Sequence, residues 1–217
     1  MLTLVIKDGY ASVYVNGVLD GTAGWYFPGL DTISKVAIGK GPADGIFVGG
    51  YENVCEWAPH LDRSFVPIQG PPGTGKTFTG AHVIHTLVKA GKRVGVTAMS
   101  HPAIDNLIEA VVERFAQEGD ELRAVRKAKK GSVSGVEYID DNPKCATGPY
   151  DVIAGTSWLF ANQAMRDNPV DVLVVDEAGQ LGLADTLAAT ISATNVILLG
   201  VPFYLYWSRR PTNVVKE

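Results

Sequence analysis

One stretch constrains this chain more than any bulk property. Gln69-Gly70-Pro71-Pro72-Gly73-Thr74-Gly75-Lys76-Thr77 fits the pattern G-x-x-x-x-G-K-[ST] in full. Phe65-Val66-Pro67-Ile68 before it reads as a short buried strand. Phe78 to Ala90 after it places Ala81, Ile84, Leu87 and Val88 on one face, the spacing of an amphipathic helix. A strand, a glycine-rich turn and a helix N-terminus in that order make an anion site. The first backbone N–H groups of the helix have no partner within it, and its dipole favours negative charge there. The N–H groups of Gly73, Gly75, Lys76 and Thr77 are expected to point at phosphate oxygens, with Gly70, Pro72 and Thr74 completing the loop. Glycine is required because a side chain would block the close approach and the unusual backbone angles. Lys76 is expected to reach the β- and γ-phosphates, and the Thr77 hydroxyl to sit on Mg²⁺. The expectation is a nucleoside triphosphate site.

The residues that follow alternate between strand and helix. Arg93 to Ala98 reads as a strand. Ser100-His101-Pro102 opens a helix from Ala103 to about Gln117, with Ser100 or His101 as N-cap. Glu121 to Arg126 reads as a further strand, Lys127 to Asn142 as a charged, glycine- and serine-rich loop, and Asp151 to Gly155 as a strand. A helix around Trp158 to Met165 follows. Val170-Asp171-Val172-Leu173-Val174-Val175 is a near-continuous apolar run, suited to a parallel strand covered on both faces. A helix from about Leu183 to Ile191 and a strand from Asn195 to Leu199 complete a doubly wound α/β fold with helices on both faces. The apolar strand ends in Asp176-Glu177. An acidic pair there shares a sheet edge with the glycine-rich turn, where ligands of open α/β sheets bind. Asp176 is expected to hold Mg²⁺ and Glu177 to polarise the attacking water.

Composition excludes several classes. A 46% hydrophobic and 19% charged chain of 217 residues is globular in character. A net charge of −4 supplies no overall attraction to nucleic acid, so such a partner must be met by a local patch. Arg123, Arg126, Lys127, Lys129 and Lys130 are one basic cluster, either a phosphate contact or a solvated loop. Cys55 and Cys145 have no metal-ligand spacing, and His82, His85 and His101 stand without a thiol or carboxylate cluster. The start of the chain lacks the regions of a signal peptide, and the run from Val196 to Trp207 is too short for a membrane span. The expectation is a cytoplasmic protein with no membrane partner.

Residues 1–60 have a different character. Leu2 to Ile6, Ser12 to Val15 and Lys35 to Ile38 are β-type runs. Asp8-Gly9, Asn16-Gly17, Asp20-Gly21, Pro28-Gly29 and Gly49-Gly50 are turn signals between and around them. This predicts an antiparallel segment with its boundary between Glu56 and Ser64. Val13-Tyr14-Val15-Asn16-Gly17-Val18-Leu19-Asp20-Gly21 resembles the hairpin of concanavalin-like, laminin-G type jelly rolls. Ile38-Gly39 and Gly50 to Trp57 resemble that fold's closing strands. The resemblance covers about the last third of such a domain and implies carbohydrate or protein binding; the alternative is a structural appendage.

Residues 61–200 carry a more specific resemblance. Ile68 to Thr77, Thr97 to Leu107 and Val175-Asp176-Glu177-Ala178-Gly179-Gln180 are similar to motifs I, Ia and II of superfamily 1 helicases. The DEAxQ form of motif II is that of the 5′-to-3′ branch, and the nearest likeness is to the helicase half of bacterial proteins that also carry a RecB-like nuclease. The resemblance implies a RecA-like P-loop ATPase fold, with ATP and Mg²⁺ as cofactors and Lys76, Glu177 and Gln180 as catalytic residues, Gln180 sensing the γ-phosphate. It also implies single-stranded DNA, or RNA in its place, as partner, with Thr97, Ser100 and Asn106 along its path. For Ser100 and Asn106, helix capping and core packing are the alternative. After Leu198-Leu199-Gly200 the sequence departs from the family's motif III, and residues 201–217 form a divergent tail. A second RecA-like domain and a nuclease are not in this chain, which predicts nucleotide binding with weak hydrolysis, those parts being supplied by a partner. The rival expectation is a non-catalytic binding protein with a vestigial P-loop domain.

Overall fold

The computed structural model describes residues 2–7, 10–15, 18–23, 36–37, 54–56, 58–69 and 75–200. The chain divides into two compact units, residues 1–34 and 35–217. In the first, β1 (Leu2–Lys7), β2 (Tyr10–Val15) and β3 (Val18–Ala23) form an antiparallel sheet in that order. Lys7 pairs with Tyr10 and Val15 with Val18, which leaves two residues between strands at each turn. Asp8-Gly9 and Asn16-Gly17, the turn signals read between these runs, lie outside the described residues. Asp20-Gly21, expected to be a turn, lies inside β3. Val13 faces Gly21 while Tyr14 faces Leu19, so Asp20 is the extra residue of a β-bulge.

The second unit is built on one sheet, in the order β4 (Val36–Ala37), β5 (Phe65–Gln69), β11 (Ala193–Gly200), β10 (Val170–Asp176), β6 (Val94–Ala98), β9 (Val152–Ala154), β7 (Ala124–Lys127), β8 (Val136–Ile139). All neighbours from β5 to β8 are parallel, and β4 pairs antiparallel with the end of β5. The doubly wound α/β fold read from the sequence is therefore the fold of this unit. The third β-type run of the first sixty residues belongs here, on the edge of the parallel sheet. Pro67, which has no N–H to give, is compatible with β5 because β4 pairs only with Ile68 and Gln69. Of the jelly-roll resemblance, Ile38-Gly39 and most of Gly50 to Trp57 lie outside the described residues, but residues 54–56 are helical rather than extended.

Strand β10 shows why the sheet needs two layers of helices. Val172 and Val174 join one buried cluster, Leu173 and Val175 the other, as alternation along a strand demands. The first cluster is roofed by α1 (Lys76–Lys89) and α2 (His101–Glu118), through Ala81, Val83, Ile84, Leu87, Ile104, Leu107, Ile108, Val111 and Phe115. The second is covered by α3 (Asn142–Thr147), α4 (Ser157–Phe160), α5 (Gln163–Asp167) and α6 (Leu183–Thr190). Gly95 of β6 is closely shadowed on that face: a Cβ there would lie 2.6 Å from Phe160 Cε1 and 2.9 Å from Leu173 Cδ1.

Two readings change. Lys127 to Asn142, expected to be a loop, contains β8. That strand is four residues long and only partly buried, and it closes the sheet edge beside charged turns. A charge-rich flank masked its short apolar alternation. The helix expected around Trp158 to Met165 is two short helices, because Asn162 leaves helical geometry and caps α5, its Oδ1 accepting from Ala164 N at 3.0 Å.

Candidate functional site

Parallel strands bring their C-terminal ends to one edge, and register fixes which residues meet there. Gly200 pairs with Gln69, Val175 with Leu198, and Asp176 with Ala98. The ends of β5, β11, β10 and β6 are thus level, and the turns leaving them face one side of the sheet. Gly70, Pro72, Gly73 and Thr74 lie outside the described residues; Gly75 onward is described. Gly75 is the N-cap of α1 at φ 76° and ψ 32°, a left-handed conformation open to glycine. It supplies no side-chain cap, and it opens a 14-residue helix whose dipole puts its positive end at this sheet edge, an arrangement suited to an anion. Thr79 closes the first turn, its N and Oγ1 both donating to Gly75 O, at 2.9 and 3.0 Å. Lys76 and Thr77 are half-buried at the head of the helix.

Asp176 ends β10 with only 7% of its surface exposed. Burial pushes its carboxyl above the usual aspartate range, and the neighbouring Glu177 charge pushes the same way. The Glu177 N–H, donating to Oδ1 at 2.8 Å, and the Lys76 ammonium act against this. The strand alternation turns Asp176 towards the α1 side of the sheet, with Val174, and the Lys76 charge is felt there. Glu177 follows at φ 49°, a left-handed backbone that side chains other than glycine rarely adopt. Two hydrogen bonds hold this turn: Ala178 N to Leu199 O at 2.8 Å and Gln180 N to Glu177 O at 2.7 Å. Gly200 packs against it so closely that a Cβ would lie 3.2 Å from Gly179 N. Gln180 is exposed at the end of the turn.

Hard oxygen donors suit Mg²⁺, which is commonly held by one or two carboxylate or hydroxyl groups together with phosphate oxygens. Asp176 and Thr77 are such a pair, and among the described residues no cluster of three or more His, Cys, Asp or Glu offers an all-protein metal cage. A buried carboxylate whose charge is poorly compensated fits a cation arriving with its ligand.

The nucleic-acid candidates are placed less uniformly. Thr97 is fully buried in β6 opposite Val175, and its hydroxyl has no hydrogen-bond partner. Ser100 is the N-cap of α2, its Oγ accepting from Ala103 N at 3.3 Å. Asn106 is exposed on α2. Met99, between β6 and α2, and Trp158, on α4, are exposed apolar side chains at the same sheet edge, Trp158 at 79%. Of the basic cluster, Lys129 and Lys130 are exposed, while the other three residues are engaged. Arg123 makes a fork to Asp151, with Nε and Nη2 at 3.1 and 2.5 Å, Lys127 pairs with Asp140, and Arg126 is buried. Arg126 was legible only as one charge of a basic run, whereas its partners lie a helix away in sequence.

Comparison with known proteins agrees with this geometry. Residues 56–139 match the family model AAA_11, described as an AAA domain. The chain is 24% identical over 147 residues, 66% of its length, to the DNA replication ATP-dependent helicase/nuclease JHS1 of Arabidopsis thaliana. That alignment takes in 11% of the relative. It is 26% identical to the DNA replication ATP-dependent helicase/nuclease DNA2 of Saccharomyces cerevisiae over 66% of this chain and 10% of that one. It is 37% identical to the DNA-binding protein SMUBP-2 of Mesocricetus auratus over 35% of this chain and 8% of that one. The parallel-sheet unit is similar to the RecA-like domain of superfamily 1 helicases. The chain spans about a tenth of the length of these relatives.

Proposed function

We propose that the parallel-sheet unit binds ATP with Mg²⁺, hydrolyses its terminal phosphoanhydride bond, and is one motor domain of a superfamily 1 helicase of the DEAxQ type. The observation that carries this is the buried Asp176 at the sheet edge it shares with the head of α1, where it feels the Lys76 charge. Lys76 and the positive end of α1 bind and orient the phosphates. Asp176 and Thr77 hold the Mg²⁺, which when bound neutralises charge on the β- and γ-phosphate oxygens. Glu177 takes a proton from the attacking water as its oxygen bonds the γ-phosphorus and the bond to the ADP oxygen breaks, giving ADP and phosphate. Gln180, exposed on the same turn, is the residue proposed to respond to the γ-phosphate.

Turnover by this chain alone is expected to be slow. Positioned arginines contribute about 10³–10⁵ in rate in enzymes of this kind. Of the arginines in the described residues, Arg93 donates to the Asn168 and Ala146 carbonyls, Arg114 pairs with Glu118, Arg123 with Asp151, and Arg126 with Asp105 and His101. Arg63 and Arg166 precede the strands at the opposite edge. A second RecA-like domain is therefore proposed to act with this one, with single-stranded DNA along the edge carrying Ser100 and Asn106, while the buried Thr97 is left out of direct contact.

Calorimetry of the full chain with Mg²⁺-ATP, with and without an oligothymidylate, tests the reading. Binding that is lost in Lys76→Ala and tightened by the oligonucleotide is the expected result. A folded chain that does not bind the nucleotide would overturn it.

A further inference from the structure

Arg126 is the largest fully buried side chain in the unit, at 1% exposed, and it is a cation. Burying a guanidinium requires that its donors be taken up. Three are: Nε donates to Asp105 Oδ1 at 2.8 Å, Nη1 to Lys127 O at 2.9 Å, and Nη2 to His101 Nδ1 at 2.8 Å. Asp105 and His101 stand one turn apart on the first two turns of α2, so the planar fork clamps the start of that helix from β7. Arginine stays protonated and only donates. His101 Nδ1 must therefore accept, and the ring proton is placed on Nε2.

We propose that Arg126 is a positioning residue for nucleic-acid binding: it fixes the Nε2–H tautomer of the exposed His101 ring, so that the head of α2 presents a donor to a backbone phosphate. Three observations agree. His101 is solvent-exposed while its anchor is buried. It lies three residues beyond Ala98, which pairs with Asp176, on the edge where the nucleotide machinery sits. The ring heads a helix whose N-terminal dipole favours an anion. The inference rests on the nucleic-acid reading above and adds the device that orients the contact. A ring with its proton on Nδ1 would place an N–H against the guanidinium and lose the bond, and a flipped ring would present a C–H there.

Two measurements on the full chain test it. Imidazole ¹⁵N correlation spectra should show His101 as a single Nε2–H tautomer with a hydrogen-bonded Nδ1, and Arg126→Lys should convert it to a tautomer mixture. Anisotropy of a fluorescein-labelled oligothymidylate should show binding weakened about tenfold by His101→Ala, the size of one lost hydrogen bond to a charged group. Arg126→Lys should weaken it by a similar factor, and the double variant by no more than either single. His101→Asn, which keeps an acceptor towards Arg126 and a donor opposite, should recover most of the affinity. ATP binding should be unchanged throughout. His101→Asn leaves the buried guanidinium an acceptor, and so keeps the proposal testable where loss of the bond disturbs the fold. An unchanged tautomer in Arg126→Lys, or additive effects on binding, would overturn the proposal. So would wild-type affinity in His101→Ala, with the nucleic-acid reading left standing. A wild-type chain that ignores the oligonucleotide overturns that reading and this inference together.

Discussion

Glu177 holds a backbone angle of φ 49°, a conformation that costs a residue with a Cβ about 1–3 kcal/mol. The hydrogen bonds from Ala178 N to Leu199 O and from Gln180 N to Glu177 O hold the turn in which it sits. Replacing Glu177 by Gln keeps the strain and the shape but removes the base. Phosphate release should fall by about 10²–10⁴-fold while calorimetric ATP affinity stays near that of the wild type. Glu177→Gly should be equally inactive, with a higher melting temperature, because glycine adopts this φ freely. Asp176 makes a second case. Burial raises its folded pKa above the unfolded value of about 3.9. Its ionised form therefore opposes folding at neutral pH, and the opposition is relieved as pH falls through the raised value. Asp176→Asn should raise the melting temperature of the ligand-free chain and weaken Mg²⁺ binding. In the wild type, protons should compete with Mg²⁺ at a higher pH than an ordinary aspartate would allow, which titrations at neutral and mildly acidic pH will show.

Helix α2 separates two roles that the sequence left open. Ser100 caps it, and loss of a cap costs about 1 kcal/mol. If capping is its whole role, Ser100→Ala lowers stability by that amount and leaves oligonucleotide affinity unchanged; a phosphate contact would show as weakened binding besides. Thermal melts and anisotropy on one variant decide between them. Strand β6, from which the helix departs, is less forgiving. Gly95→Val puts a side chain where Phe160 and Leu173 already stand, and overpacking of this kind costs about 1–3 kcal/mol. At this scale the sequence was most readable where elements are long and buried. β10, α1 and α2 declare themselves by apolar period, by Ser100-His101-Pro102 at a helix start, and by Asp176-Glu177 at a strand end. It was least readable where an element is short and half-exposed, as with β8, or where a charged residue is buried by partners distant in sequence. Arg126 in Ala124–Lys127 looks like any surface cation until α2 brings Asp105 and His101 to it. The Asp20-Gly21 pair misled for a related reason, since a bulge and a turn ask for the same residues.

Over the whole unit, acidic groups tie neighbouring elements together, Asp151 at the starts of β7 and β9 and Asp120 between α1 and α2. Arg123 holds the Asp151 carboxyl below the usual aspartate range, and Lys89 with His85 does the same for Asp120. Each carboxylate is depressed in the folded state, so its contribution is complete above the unfolded pKa and is lost as pH falls through the folded one. Melting temperature should therefore decline on acidification below about pH 4, and less steeply in Asp151→Asn, which has already forfeited its share. The sheet itself has a broader consequence. Because Val172 and Val174 serve one side and Leu173 and Val175 the other, β10 is a party wall between two rooms. A cavity opened by Val174→Ala loosens the room under α1 and α2, where Asp176 also turns. One opened by Val175→Ala loosens the room under α4 and α6. Selection can refurnish one room while the chemistry in the other is left undisturbed.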